Sequence, residues 1–120
     1  MKKNVLIIDD NLVNRQLLST YAKRVDIIND VYVADDGDVG LQVLSEHDDI
    51  DLILLDLYMP KMTGFEVLET LKNQNSEIPV IVLSTDTEQS KIVLELGATF
   101  FLSKPIKVNS LIEAVEKIFK

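Results

Sequence analysis

The stretch Leu52-Ile53-Leu54-Leu55-Asp56-Leu57-Tyr58-Met59-Pro60-Lys61-Met62-Thr63-Gly64-Phe65-Glu66 runs from an unbroken aliphatic segment through a short loop into a helix start. Four apolar residues in a row, with no polar alternation, read as a strand covered on both faces, as in a parallel sheet. Thr63 and Glu66 stand at capping-box spacing, where hydroxyl and carboxylate satisfy the free N–H groups of a helix start. Phe65, Leu68 and Leu71 then line the inner face of a helix that Asn73 to Ser76 ends.

The same unit repeats to either side. On the N-terminal side, Val5 to Ile8 reads as a strand, and Leu12 to Val25 as a helix with Val13, Leu17 and Tyr21 on one stripe beside Leu18, Ala22 and Val25. Val31 to Ala34 and Asp38 to Ser45 follow as strand and helix. On the C-terminal side, Val80 to Leu83 is a strand introduced by Pro79, and Glu88 to Leu96 a helix stopped by Gly97, which tolerates a left-handed helix end. Phe100 to Leu102 and Val108 to Phe119 complete the series. Strict alternation with short links predicts an α/β fold, a doubly wound five-stranded parallel sheet with helices on both faces. The expected organisation is a single domain over residues 1–120, and Met1 and the closing helix fit a free-standing protein better than a fragment of a larger one.

The 120 residues hold 12 Lys and Arg against 20 Asp and Glu, a formal net charge of −8. Such a chain repels phosphate backbones and anionic lipid, so neither nucleic acid nor membrane is an expected partner. There is no cysteine, which excludes disulfides, thiolate metal sites and thiol catalysis. With no membrane span and no apolar leader at the start, the expected compartment is cytoplasmic.

In doubly wound sheets ligands sit beyond the carboxyl ends of the strands. Asp9 and Asp10 follow the first strand, Asp56 the third, Ser84 and Thr85 the fourth, and Lys104 with Pro105 the fifth. Singly, each has an ordinary role: Asp10 or Asn11 can cap the first helix, Ser84 can bond backbone, and Lys104 can be a solvated surface residue. Together they converge on one edge. Three neighbouring carboxylates repel, so at least one should resist ionisation unless a cation joins them, and Lys104 alone does not balance them. Mg²⁺, which binds one or two carboxylates plus waters and phosphate oxygens, suits the deficit. With it bound, the site can take a phosphoryl group bridged by the ion, Lys104 and Ser84, and a carboxylate can attack to form an aspartyl-phosphate.

The segments Ile8-Asp9-Asp10-Asn11, Asp56 to Gly64, Pro79 to Ser84, and Gly97 to Pro105 resemble, in order and spacing, the signature segments of response-regulator receiver domains. The likeness runs from residue 4 to residue 119. It implies the flavodoxin-like (βα)5 fold with strand order 2-1-3-4-5, and a phosphorelay receiver that takes its phosphoryl group from a sensor histidine kinase or a histidine phosphotransfer protein. Such a protein is not an ordinary enzyme, but catalyses its own Mg²⁺-dependent phosphorylation and dephosphorylation. By resemblance, Asp56 is the phosphoacceptor and itself a Mg²⁺ ligand, Asp10 the direct Mg²⁺ ligand beside it, Asp9 the supporting acid, and the Tyr58 backbone carbonyl the third protein ligand. Ser84 is the switch hydroxyl, Lys104 the pairing lysine, Phe101 the switch aromatic, and the Lys104–Pro105 bond cis. Tyr58 and Asp86 occupy positions that flank the path of the hydrolytic water and so set the phosphoryl lifetime. The output is an unknown downstream protein target.

Four positions depart from the family pattern. Thr85 stands where Ala or Gly is usual and should tighten access, and Thr63 replaces a frequent Asp, as its capping role explains. Phe100 is either an exposed anchor or buried against the last helix. Lys107 replaces a capping residue, so the last helix should start less firmly. His47 lies in the polar link Ser45-Glu46-His47-Asp48-Asp49 and reads as a surface residue. A haloacid-dehalogenase-type phosphatase would need an acid at Tyr58, and a flavodoxin-like FMN carrier a Ser/Thr/Gly-rich loop at Asp9-Asp10-Asn11. A receiver reduced to an interaction module is disfavoured by the complete set of acids with Ser84 and Lys104.

Overall fold

The computed structural model describes residues 2–120. Five strands, β1 (Lys3–Ile8), β2 (Ile28–Ala34), β3 (Leu52–Asp56), β4 (Val80–Ser84) and β5 (Phe100–Ser103), alternate with α1 (Leu12–Ala22), α2 (Gly37–Glu46), α3 (Gly64–Asn73), α4 (Ser90–Glu95) and α5 (Val108–Phe119). All ladders are parallel, and the order is β2-β1-β3-β4-β5, as expected. No helix among the described residues is long and apolar enough to cross a membrane.

Side chains alternate across the pleat, which divides the core in two. Val5, Ile7, Leu52, Leu54, Ile81 and Leu83 meet Leu18 and Ala22 of α1 and Leu111, Ala114 and Val115 of α5. Leu6, Ile8, Ile53, Leu55, Val80 and Val82 meet Val67, Leu68 and Leu71 of α3 and Val93 of α4. Each fully buried Leu or Ile contributes roughly 1.5–3 kcal/mol, so the two-sided core fixes the register of the central strands.

Most boundaries fall within a residue or two of the sequence reading, and three elements differ more. The α1 helix ends at Ala22, and its last turn tightens through Lys23 N–H to Ser19 O, Arg24 N–H to Tyr21 O and Val25 N–H to Ala22 O. Its inner face carries Arg15, Leu18 and Ala22 at i, i+3, i+7: Leu18, Ala22 and Val25 are buried as expected and Tyr21 packs against them, whereas Val13 is 69% and Leu17 41% exposed. The β2 strand begins at Ile28, because an edge strand accommodates the polar Asn29 and Asp30, and Asn4 Oδ1 takes the Asp30 N–H at 3.0 Å. The helix expected over Glu88–Leu96 divides into a 3₁₀ turn, Thr87–Gln89, and the short α4, neither with a side-chain cap. Gly97 adopts φ +106°, as its helix-stopping role requires.

The β3–α3 connection is held by backbone contact. The capping box forms: Thr63 Oγ1 receives Glu66 N–H at 3.3 Å and Glu66 Oε1 receives Thr63 N–H at 3.0 Å. Gly64 N–H donates to Leu57 O at 2.7 Å. A Cβ on Gly64 would lie 2.8 Å from Leu57 Cα and closer still to the Asp56 carbonyl oxygen, both backbone atoms that cannot swing away. Gly64→Ala should therefore destabilise by about 2 kcal/mol through overpacking. Urea unfolding measures this, and an unchanged midpoint would show that the loop yields freely.

Candidate functional site

The β order reverses between β1 and β3, and the crevice opens at their carboxyl ends. Ile8 pairs with Leu55, which brings the next residues, Asp9 and Asp56, side by side. Ser84 ends β4, and Lys104 N–H extends the ladder to Ser84 O at 3.0 Å. The Lys104–Pro105 bond is cis, as expected.

Lys104, Asp9 and Asp56 form one ion cluster. Lys104 Nζ donates to Asp9 Oδ2 at 3.2 Å and to Asp56 Oδ1 at 3.1 Å. Asp9, Asp56 and Ser84 are buried, whereas Asp10 is exposed at the rim. One carboxylate oxygen each from Asp9, Asp10 and Asp56 lies within 4.8 Å of the others. Hard oxygen donors at that spacing, in a net negative pocket, fit one Mg²⁺ after small side-chain adjustments.

Both oxygens of Asp9 are engaged: Oδ1 receives Asn11 N–H at 2.9 Å, and Oδ2 receives Lys104. Asn11, not Asp10, caps α1 through Asn14 N–H at 2.9 Å, which leaves the Asp10 carboxylate to face the crevice. Both hydrogen bonds of Asp56, from Lys104 and from Leu57 N–H at 3.0 Å, fall on Oδ1.

The strain expected among the acids is real but unevenly shared. Burial first, and the Asp9 charge second, push the Asp56 carboxyl up to about 6 against the pull of Lys104, and Asp10 adds the least. Burial opposes charge on Lys104, yet Asp56 and Asp9 together outweigh it and hold the ammonium above the usual lysine range.

At the mouth, the Tyr58 hydroxyl donates to Asp86 Oδ2 at 2.6 Å, and that bond raises the phenol above its ordinary value. Thr85 is exposed beside them. Phe101 is half-buried against the core beneath α2 to α4, and Phe100 against the core of α1 and α5, which resolves the two expectations for Phe100 towards burial. Lys107 gives α5 no side-chain cap. His47 is not fully in solvent: it ends α2 and rests on Tyr32, ring centroids 4.6 Å apart, at the opposite end of the strands from the cluster.

The sequence reading assigned no role to Arg15, which sends Nη1 to the Asp9 carbonyl at 2.8 Å, or to Lys61, which lies 3.7 Å from the buried Asp36 that caps α2. The spacing of Arg15 with Leu18 and Ala22 was the available signal for the first. Lys61 gave none, because its reach depends on a φ of +64°.

The response regulator receiver domain model matches residues 5–116. The chain is 32% identical to a protein-glutamate methylesterase/protein-glutamine glutaminase of Trichodesmium erythraeum, over 99% of the chain but only 35% of that protein. It is 30% identical to the two-component response regulator ORR5 of Oryza sativa, over 98% of the chain and 89% of that protein. The structure resembles that of the CheX-CheY-BeF3-Mg+2 complex from Borrelia burgdorferi, with a TM-score of 0.90 and 28% identity over 98% of this chain and 90% of that one.

Between about pH 4 and pH 6 the folded protein keeps a proton on Asp56 that the unfolded chain has released. Its stability therefore falls as pH rises through that window and stays lowered above it. Asp56→Asn should stabilise the metal-free protein by about 2 kcal/mol above pH 6, and by nothing at pH 4. Urea midpoints across pH 4–8 test this. A variant that loses stability over pH 4–6 as steeply as the parent would show that Asp56 is not the strained group.

Proposed function

This chain belongs to the response regulator receiver domain family, and we propose that Asp56 is the residue on which it accepts a phosphoryl group. Receiver domains of two-component response regulators accept phosphate on an aspartate and bind Mg²⁺ in an acidic pocket. The observation that carries the assignment is the single ammonium of Lys104 shared between Asp9 and Asp56 at the reversal of strand order.

Asp56 Oδ2 is the attacking oxygen, since Oδ1 is held by Lys104 and Leu57 N–H. The new bond forms between Oδ2 and phosphorus as the bond from phosphorus to the donor nitrogen breaks, and the donor histidine leaves with its electron pair. Asp9, Asp10, Asp56 and the Tyr58 carbonyl would hold the Mg²⁺, which would supply positive charge against the developing phosphoryl charge. Lys104 then moves from Asp56 to the phosphoryl oxygens, where an ammonium stabilises the same charge.

The donor is a sensor histidine kinase or a histidine phosphotransfer protein, and the chain works in the cytoplasm. Ser84 meets the phosphoryl group and Phe101 follows it, altering the face of α4, β5 and α5 for a downstream target. Thr85 narrows donor access, and the Tyr58 ring shields the phosphoryl group from hydrolytic water.

Incubation with acetyl phosphate and Mg²⁺, followed by intact mass, should show one phosphoryl group on the parent. Asp56→Asn should gain none, and an undiminished gain there would refute the assignment. Asp10→Ala should abolish the gain by removing the rim metal ligand. After donor removal, Tyr58→Ala and Tyr58→Asn should each lose the label severalfold faster than the parent. Unchanged or slower loss would sink the shielding role.

A further inference from the structure

Two hydrogen bonds run in series from the surface to the switch hydroxyl. Tyr58 Oη donates to Asp86 Oδ2 at 2.6 Å, and Asp86 N–H donates to Ser84 Oγ at 3.1 Å. The outer end is open, with Tyr58 52% exposed, and the inner end is closed, with Ser84 only 2% exposed. A neutral hydroxyl facing solvent has no need of Asp86, since water can replace it. The bond nevertheless forms, short and to an ionised acceptor, the stronger class of hydrogen bond. The Tyr58 ring is also braced: it stands edge-on to Phe65 of α3, centroids 6.0 Å apart and planes at 65°.

Asp86 is held at three points: its amide by Ser84, its carboxylate by Tyr58, and its carbonyl by Gln89 N–H at 3.2 Å, which opens the 3₁₀ turn. The β4–α4 loop that it anchors has no side-chain cap of its own at either helical start. The Tyr58 hydroxyl is thus the tie between this loop and the β3–α3 loop, which is itself fixed by Gly64 and the capping box.

We propose that the Tyr58 hydroxyl is a positioning group that, through Asp86, keeps Ser84 Oγ in its phosphoryl-free place. For Ser84 to reach a phosphoryl group on Asp56, its Oγ must leave the Asp86 amide, and the Asp86 peptide is tethered by Tyr58. The tie therefore weights the equilibrium between the two packings towards the unphosphorylated one. This role is separate from shielding: the ring shields and the hydroxyl holds. It rests on the reading that Ser84 meets the phosphoryl group.

Tyr58→Phe keeps the ring and removes the tie. In metal-free, donor-free protein, the Asp86 amide should lose roughly threefold of its protection from solvent exchange in Tyr58→Phe and in Asp86→Ala, consistent with one exposed hydrogen bond. Amides of β3 should be unchanged. Asp86→Asn retains a side-chain acceptor and should keep protection near that of the parent. Labelling by acetyl phosphate should be roughly threefold faster in Tyr58→Phe than in the parent. Unchanged Asp86 protection in Tyr58→Phe overturns the proposal, as does equal loss in Asp86→Asn and Asp86→Ala. Lost protection without faster labelling overturns the coupling to Ser84. Because amide exchange is read without donor or Mg²⁺, failure of the parent to gain phosphate would count against the phosphoacceptor reading alone.

Discussion

The fold of this protein is organised around one ammonium group. Lys104 lies 95 residues from Asp9 and 48 from Asp56, yet it bonds both carboxylates at once. Two buried acids so close would otherwise have to take up a proton or give up the packing around them. One cation between them keeps the cluster folded but leaves it short of positive charge, because Asp10 stands at the same crevice. The compromise has a functional form. The pocket is acidic enough to suit a divalent ion, and on the proposed reading Lys104 would have a second anion to turn to when a phosphoryl group arrives. Nothing about this arrangement is local: it requires β1, β3 and β5 to end together, which the parallel order and the two-sided core enforce.

Much of that order was legible in the sequence, and the reasons differ by residue. The run Leu52 to Leu55 can only be a strand covered twice, and Thr63 with Glu66 announces the next helix by a pattern that is satisfied locally. Asp9, Asp56, Ser84 and Lys104 could be read as one site because strand ends in a parallel sheet share an edge, so position along the chain becomes position in space. Reading failed where two faces competed. Val13 and Leu17 look like core, but Arg15, Leu18 and Ala22 take the inner face and leave them in solvent. It failed also where the decisive contact depends on side-chain direction. That Tyr58 and Asp86 are both near the site follows from spacing, whereas a hydrogen bond between them does not. The near-contact of Gly64 with the backbone of β3 is likewise invisible, since nothing in the residue letter shows how closely two chains approach.

Rigidity and looseness are divided between loops. The β3–α3 loop is fixed by the capping box, the Gly64 amide and the buried Leu57 and Met59, so Asp56, the proposed phosphoacceptor, stands on an unyielding base. The β4–α4 loop leads instead into a 3₁₀ turn and a six-residue helix without side-chain caps. Moving elements in proteins come from the weakly held end of the stability range, and this loop carries Ser84 at its root. A nucleophile has to be held still and a switch has to be free to move, and the chain assigns the two demands to adjacent strands.

The direction of the resulting signal follows from the pleat. Ser84 shares its face of β4 with Val82 and Val80, the face covered by α3 and α4. Val82 pairs with Phe101, and paired residues of parallel strands point to the same side, so Phe101 shares that face while Phe100 takes the other. Ser84 and Phe101 are therefore diagonal neighbours beneath the same short helix. On the proposed switch, displacement of Ser84 towards Asp56 would open space on the side where Phe101 is only half-buried, and a half-buried aromatic would gain by filling it. Phe100 packs with α5 on the opposite side, away from Ser84. One-residue alternation along β5 is thus enough to decide which of two adjacent phenylalanines can respond to the site and which one anchors the last helix.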